Sequence, residues 1–256
     1  MCHRFFLPQT QIEHPMPTIT GADINHIRNV LRLKPGDNIV IFDGTGAEYL
    51  ARIEQLSSNK AIVEIIEKKF SSSESPVHIC LAQAYLKEKK MDLLVRQATE
   101  LGINRWQPFF SERSIPRPDH NRLFSRAQRW EKIMMEAVKQ CRRNRLMEIG
   151  QSLSFEEMLL LANNVDIKII FWENTDNLLI SSDIFVKKTK IRSVYSVIGP
   201  EGGFSADEVK QAMKAGFFPV GMGPRILRAE TAAVAACTLL QYLFGDFGQK
   251  ALDKKY

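Results

Sequence analysis

The chain is 256 residues long, with 45% hydrophobic and 25% charged residues and a formal net charge of +6. That length holds one large or two small domains with a real core, and that composition excludes a largely disordered chain. No apolar run approaches the roughly 18 residues that span a bilayer.

The opening Met1-Cys2-His3-Arg4-Phe5-Phe6-Leu7-Pro8 is too short, and too soon broken by Pro8, for a signal peptide, so a cytoplasmic protein is expected. Residues 1–70 read as short strands and turns. Phe5-Phe6-Leu7 and the runs 38–42, 48–53 and 60–66 are rich in β-branched and aromatic residues, and Lys34-Pro35-Gly36-Asp37 and Asp43-Gly44-Thr45-Gly46 supply turn chemistry. A helix is predicted over 22–31, with Ile24, Ile27 and Leu31 on one face. Evenly spaced short strands suggest a small barrel. The polar run Ser71-Ser72-Ser73-Glu74-Ser75-Pro76 reads as a linker, dividing a first domain (1–72) from a second (76–247).

From Val77 strands alternate with helices. Strands are predicted over 77–85, 105–110, 167–172, 193–198 and 217–222. Helices are predicted over 88–101, stopped by Gly102, over 122–142, and over 229–244. Two more open on capping boxes, Ser154 with Glu157 and Ser205 with Glu208. The alternation implies an α/β domain whose parallel sheet is covered on both faces.

The positive charge is local. Residues 76–150 carry 15 Lys/Arg against 8 Asp/Glu, whereas 1–75 carry 8 against 9 and 151–256 carry 12 against 12. Arginine dominates the run from Arg105 to Arg145, and its planar fork suits phosphates and bases. Such a field attracts a polyanion; the alternative is a solvated helix face partnered by Glu131 and Glu136. Cys2, Cys80, Cys141 and Cys237 are far apart without a CxxC pair, so reduced thiols are expected and no metal site.

Two loops carry the chemical signal. Ile198-Gly199-Pro200-Glu201-Gly202-Gly203-Phe204 joins a strand to a capped helix, and Gly221-Met222-Gly223-Pro224-Arg225-Ile226-Leu227-Arg228 leaves the next strand for the last helix. Ligands of open α/β sheets sit outside the carboxyl ends of the strands, where both loops fall, so the two can line one pocket. Neither contains Gly-Lys-Ser/Thr, and Ile226 stands where a dinucleotide fingerprint needs its third glycine. Glu201 further disfavours a phosphate ligand and suits a cationic or hydroxyl-rich one.

Together these loops, ending in Gly223-Pro-Arg-Ile-Leu-Arg-Ala-Glu-Thr231, resemble the SPOUT class of S-adenosylmethionine-dependent RNA methyltransferases. Within that class the chain is similar to the group that methylates N3 of a uridine in 16S ribosomal RNA of the small subunit. His26-Ile-Arg-Asn-Val-Leu-Arg32, Gln97-Ala-Thr-Glu-Leu-Gly102, Ser111-Glu-Arg-Ser114 and Asn144-Arg145 extend the likeness. Two departures stand out: Lys139 at a commonly acidic place, and Leu146-Met147 where a proline is expected.

The resemblance implies a PUA-like β-barrel over 1–72 and a trefoil-knotted α/β domain over 76–247. It implies homodimerisation through the knotted region, with helix 229–244 partly in the interface or wholly in the core. Ile198, Gly199, Pro200, Glu201, Gly202, Gly203, Met222, Gly223, Ile226, Leu227, Arg228 and Thr231 would then bind S-adenosylmethionine. Arg228, with Arg225 beside it, would stabilise the uridine anion, and Glu230 would orient Arg228 or accept a proton. Arg28, Arg32, Arg113, Arg122, Arg126, Arg142, Arg143 and Arg145 would grip 16S ribosomal RNA or the small subunit. Two other readings stay open: a non-catalytic RNA-binding module, and a less favoured NAD-dependent oxidoreductase.

Overall fold

The computed structural model describes residues 3–70, 74–87, 89–175 and 191–248. Cys2, the linker residues Ser71-Ser72-Ser73 and Glu88, where a helix was expected to start, lie outside the described residues. The chain forms two compact units, one of 1–74 with 138–146 and the other of 75–137 with 147–256.

In the first unit the strands β1 (Arg4–Phe6), β2 (Thr18–Thr20), β3 (Asn38–Phe42), β4 (Ala47–Leu56) and β5 (Lys60–Phe70) form one sheet in the order β1-β3-β4-β5-β2. β1 runs parallel to β3 and the other pairs are antiparallel. Alternation along β4 points Ala47, Tyr49, Ala51 and Ile53 inward. They meet Phe5, Ile19, Ile39, Ile41 and Val63 in one core. β2 and the short helix α1 (Gln9–Ile12) are absent from the expectation, because three or four residues carry too little periodicity. The expected helix over 22–31 is α2 (Ala22–Asn25) continued by a π-turn over His26–Val30. Ile24 and Ile27 are buried as expected.

The segment 138–146 belongs to this unit through a polar network. The Arg143 guanidinium pairs with Glu74 at 3.0 Å, and the same carboxylate accepts the backbone N–H groups of Asn144 and Arg145. Asn144 bonds Arg4 and Glu48. Lys139, one of the departures, pairs with Asp23 at 2.8 Å.

The second unit holds β6 (His78–Ala84), β7 (Arg105–Phe110), β8 (Glu148–Ile149), β9 (Leu153–Ser154), β10 (Ile167–Phe171), β11 (Ser193–Ile198) and β12 (Phe218–Val220). They form an all-parallel sheet in the order β12-β10-β11-β6-β7-β8, with β9 also on β7. On one face Cys80, Ala82, Tyr195 and Val197 pack against α5 (Phe155–Leu160) and α6 (Ala206–Lys214). Their strand neighbours Ile79, Leu81, Val194 and Ile198 point the other way and are equally buried. α7 (Ala229–Phe244) lies against β6 and β11 and packs on α3 (Lys90–Glu100). A sheet buried on both faces explains why its strands read as continuous apolar runs. α4 (His120–Cys141) completes the unit, its Trp130, Met134 and Ala137 buried as its spacing predicts. Both capping boxes form, with Ser154 and Ser205 as N-caps.

Candidate functional site

β12, β10 and β11 are neighbours and run parallel, so their carboxyl ends open on one edge of the sheet. There three loops enclose a cleft of about 750 Å³, within the ordinary range of small-molecule sites. The loop after β11 contributes Gly199, Pro200, Glu201, Gly203 and Phe204; the loop after β12 contributes the run from Met222 to Arg228. Gly223 holds φ +107°, which disfavours any side chain. Gly203 holds φ +66°, and a Cβ there would also collide with the Glu173 carboxylate.

The loop after β10 supplies Trp172, Glu173 and Thr175, which sequence reasoning missed. The strand 167–172 was legible, and the strand-end rule applies to it as much as to its neighbours. What hid the loop was the lack of glycines. Lys90, at the start of α3, was missed as well. Its Nζ stands 3.1 Å from Glu201 Oε1 and 3.4 Å from Glu230 Oε2, joining the first loop to the first turn of α7. The hydrogen bond to Glu201 holds the Lys90 ammonium above the usual lysine range. Burial works against the Glu201 charge, but the bonds from Lys90 and the Lys87 N–H outweigh it and leave that carboxyl below its ordinary value. Gln83, fully buried at the end of β6, donates to the Gly199 carbonyl and fixes the first loop from beneath.

Of the residues expected to bind a cofactor, Ile198, Gly199, Pro200, Glu201, Gly203, Met222, Gly223, Ile226, Leu227 and Arg228 line the cleft. Gly202 and Thr231 do not. Gly202 turns to Arg113, whose guanidinium donates to its carbonyl at 3.0 Å, and Thr231 is exposed on α7 beside the lining residues Glu230 and Ala232. Arg225 and Arg228 line the cleft as exposed side chains with no hydrogen bond or ion pair among the described residues. Glu230 faces Lys90 rather than Arg228.

The cleft fits a ligand held by backbone groups. The N–H groups of Gly223, Arg225, Ile226 and Leu227 have no backbone acceptor among the described residues. The buried indole N–H of Trp172, on the cleft wall, likewise lacks a protein acceptor there. Buried donors are nearly always satisfied, so an orphan on a cleft wall is a place for ligand oxygen or nitrogen.

The eight arginines expected at RNA are not brought together in one unit. Arg113, Arg122 and Arg126 stand in the second. Arg28, Arg32, Arg142, Arg143 and Arg145 stand in the first. Arg143 is a correction: it is 3% exposed, and its guanidinium is committed to Glu74, so it cannot present itself to a phosphate. Arg142, Arg145 and Arg28 are exposed, Arg145 donating to the Thr45 carbonyl and Arg28 to the Ser58 carbonyl. Among the described residues no helix is long and apolar enough to cross a membrane.

Comparison with known proteins matches residues 73–241 to the RNA methyltransferase domain and residues 19–66 to the RNA methyltransferase PUA domain. Ribosomal RNA small subunit methyltransferase E of Buchnera aphidicola (subsp. Acyrthosiphon pisum) is 34% identical over 90% of this chain and 88% of its own. The protein of that name from Bacillus subtilis is 31% identical over 93% and 96%. The crystal structure of a ribosomal RNA small subunit methyltransferase E from Neisseria gonorrhoeae, bound to S-adenosyl methionine, superposes with a TM-score of 0.83. It is 33% identical and covers 96% of this chain and all of that one.

Proposed function

The chain belongs to the RNA methyltransferase family, and on that premise we propose that it transfers a methyl group from S-adenosylmethionine to N3 of a specific uridine in 16S ribosomal RNA. It is an RNA-modifying enzyme with S-adenosylmethionine as its cofactor. The observation that carries the reading is the single cleft that three loops build on the carboxyl edge of the parallel sheet.

When bound, the cofactor supplies an electrophilic sulfonium methyl. The groups that would hold it are the amides of Gly223, Arg225, Ile226 and Leu227 and the indole N–H of Trp172, cleft donors without a protein acceptor among the described residues. The uridine N3–H is a weak acid and must lose its proton before it attacks. Arginine is never a neutral base, so Arg228, with Arg225, acts by stabilising the developing anion. Glu230 accepts the proton, directly or through water, with Lys90 fixing its carboxylate. Holding base and methyl in line supplies much of the rate.

Arg28, Arg32, Arg113, Arg122, Arg126, Arg142 and Arg145 bind phosphates of the ribosomal RNA, with affinity that falls as salt rises. The same reading includes a trefoil knot in the second domain, a homodimer formed through it, and action in the cytoplasm. Mass spectrometry of 16S ribosomal RNA from cells with and without the gene tests the reaction. Loss of one N3-methyluridine is the expected result. Calorimetric titration with S-adenosylmethionine tests the cleft; no binding at millimolar cofactor would leave a binding module without catalysis.

A further inference from the structure

Beside the cofactor cleft, the same edge of the sheet continues to β6 and β7. Tyr85 follows β6 directly and Phe110 ends β7. Their rings stack with centroids 4.6 Å apart and planes within 10°. Each ring also carries a guanidinium: Arg126 lies over Tyr85 at 5.6 Å and Arg117 over Phe110 at 5.1 Å. Since each ring covers one face of the other, the two guanidinium groups take the outer faces, and the four side chains form a column. The column is anchored from within the unit. The Tyr85 hydroxyl meets Ser152 at 2.7 Å, and Arg117 donates to the Ser111 carbonyl.

Nothing in the cofactor site uses this column. Arg126 lies over the Tyr85 ring and has no hydrogen bond or ion pair among the described residues. Asn121, Arg122, Ser125, Arg126 and Arg129 line a shallow groove of about 360 Å³ there. Its Arg122 and Arg129 are paired with Asp119 and Asp92. Aromatic stacking fixes an arginine's plane while leaving its N–H edge for an anion. The strand order sets the distance from the chemistry. β6 and β7 lie one and two strands from β11, so at ~4.8 Å per strand the column stands roughly 5–10 Å from the loop after Ile198.

We infer that the Arg117–Phe110–Tyr85–Arg126 column is a phosphate-binding subsite for the RNA strand flanking the methylated nucleotide. The inference rests on the methyltransferase reading of the neighbouring cleft and adds where its RNA lies. Arg126 takes one phosphate bidentately, and Arg117, at the far end of the column, takes another farther along the strand. Arg113 donates to the Gly202 carbonyl of the cofactor loop.

The test measures binding of unmodified 16S ribosomal RNA, transcribed in vitro, to the full chain at several salt concentrations. In parallel, each variant is titrated with S-adenosylmethionine. Arg126→Ala is expected to weaken RNA binding five- to tenfold at 0.15 M salt, and to make the plot of log affinity against log salt shallower by about 0.7–0.9, one phosphate contact. Arg126→Lys keeps the slope but binds at least twofold more weakly, having lost the fork. Cofactor affinity stays within twofold in both. RNA affinity and slope unchanged in both Arg126→Ala and Arg117→Ala, with normal cofactor binding, would overturn the subsite and leave the methyltransferase reading intact. So would weaker binding at an unchanged slope in both, which would make the contact one of packing. A wild-type chain that binds RNA but no cofactor would overturn the reading and the subsite together.

Discussion

The basic run of this chain is continuous in sequence, yet its two ends do opposite work. In the first half of α4 the arginines stand at the surface, with Arg126 laid over Tyr85 and otherwise unengaged among the described residues. A few turns later Arg143 is buried and paired with Glu74, whose carboxylate also holds the backbone of Asn144 and Arg145. One residue type in one stretch thus gives a ligand-facing surface and an internal staple. Between Arg126 and Arg143 the difference lies in whether an acidic partner waits in the fold. The lesson is that a charge run marks where positive potential is made, while the partner of each charge decides which residues can spend it on a ligand.

The largest test of this contrast is Arg143→Ala. It leaves the partly buried Glu74 carboxylate with only its backbone donors, which is expected to cost about 3 kcal/mol. Chemical denaturation would show the loss, and a change under 1 kcal/mol would mean that Arg143 behaves like its exposed neighbours. Arg228 places the same residue type in a third setting, a cleft in which no acid pairs with it among the described residues. Arg228→Ala is expected to lower methyl transfer by about 10²–10³ while S-adenosylmethionine still binds by calorimetry and the melting temperature holds. Normal turnover would remove the anion stabiliser.

A smaller effect is expected at Ser205, whose hydroxyl caps α6 next to the cofactor loop. Ser205→Ala should cost ~1 kcal/mol in thermal or urea unfolding. A loss above 3 kcal/mol would show that the cap supports more than its own helix.

The smallest effect concerns the Lys90–Glu201 bridge and is read as pH dependence. Glu201 titrates below its ordinary value, so its contribution is present above about pH 4.3 and fades as pH falls through the depressed value. Lys90 titrates above its ordinary value, so its contribution is complete below about pH 10.4 and fades as pH rises through the raised one. The melting-temperature difference between wild type and Glu201→Gln is therefore flat between about pH 5.5 and 9.5, and shrinks below about pH 4. A difference that varies across neutral pH would contradict the bridge.

Much of the fold was legible in the chain because its signals are local. Apolar runs of strand length, two capping boxes and the glycine stops placed every long element of the second unit within a few residues. The two glycine loops were legible for the same reason. Three-residue strands such as β2 and two-residue ones such as β8 were not, since they exist only by pairing with a partner strand. Lys90 and Trp172 escaped because neither carries a local motif; a lysine at a helix start and a tryptophan at a strand end look ordinary until their neighbours are known.

The sequence by itself therefore determined the parallel α/β unit, its strand-end loops and the positive third of the chain, all of which follow from periodicity, turn chemistry and charge. Only the tertiary structure decided that Lys90 joins Glu201 to Glu230, that Gly202 turns away to Arg113, and that Arg143 is sealed against Glu74. Those contacts link residues some 70 to 140 positions apart. Nothing local encodes them: sheet order and burial bring the partners together, and which charges remain free is settled by that meeting.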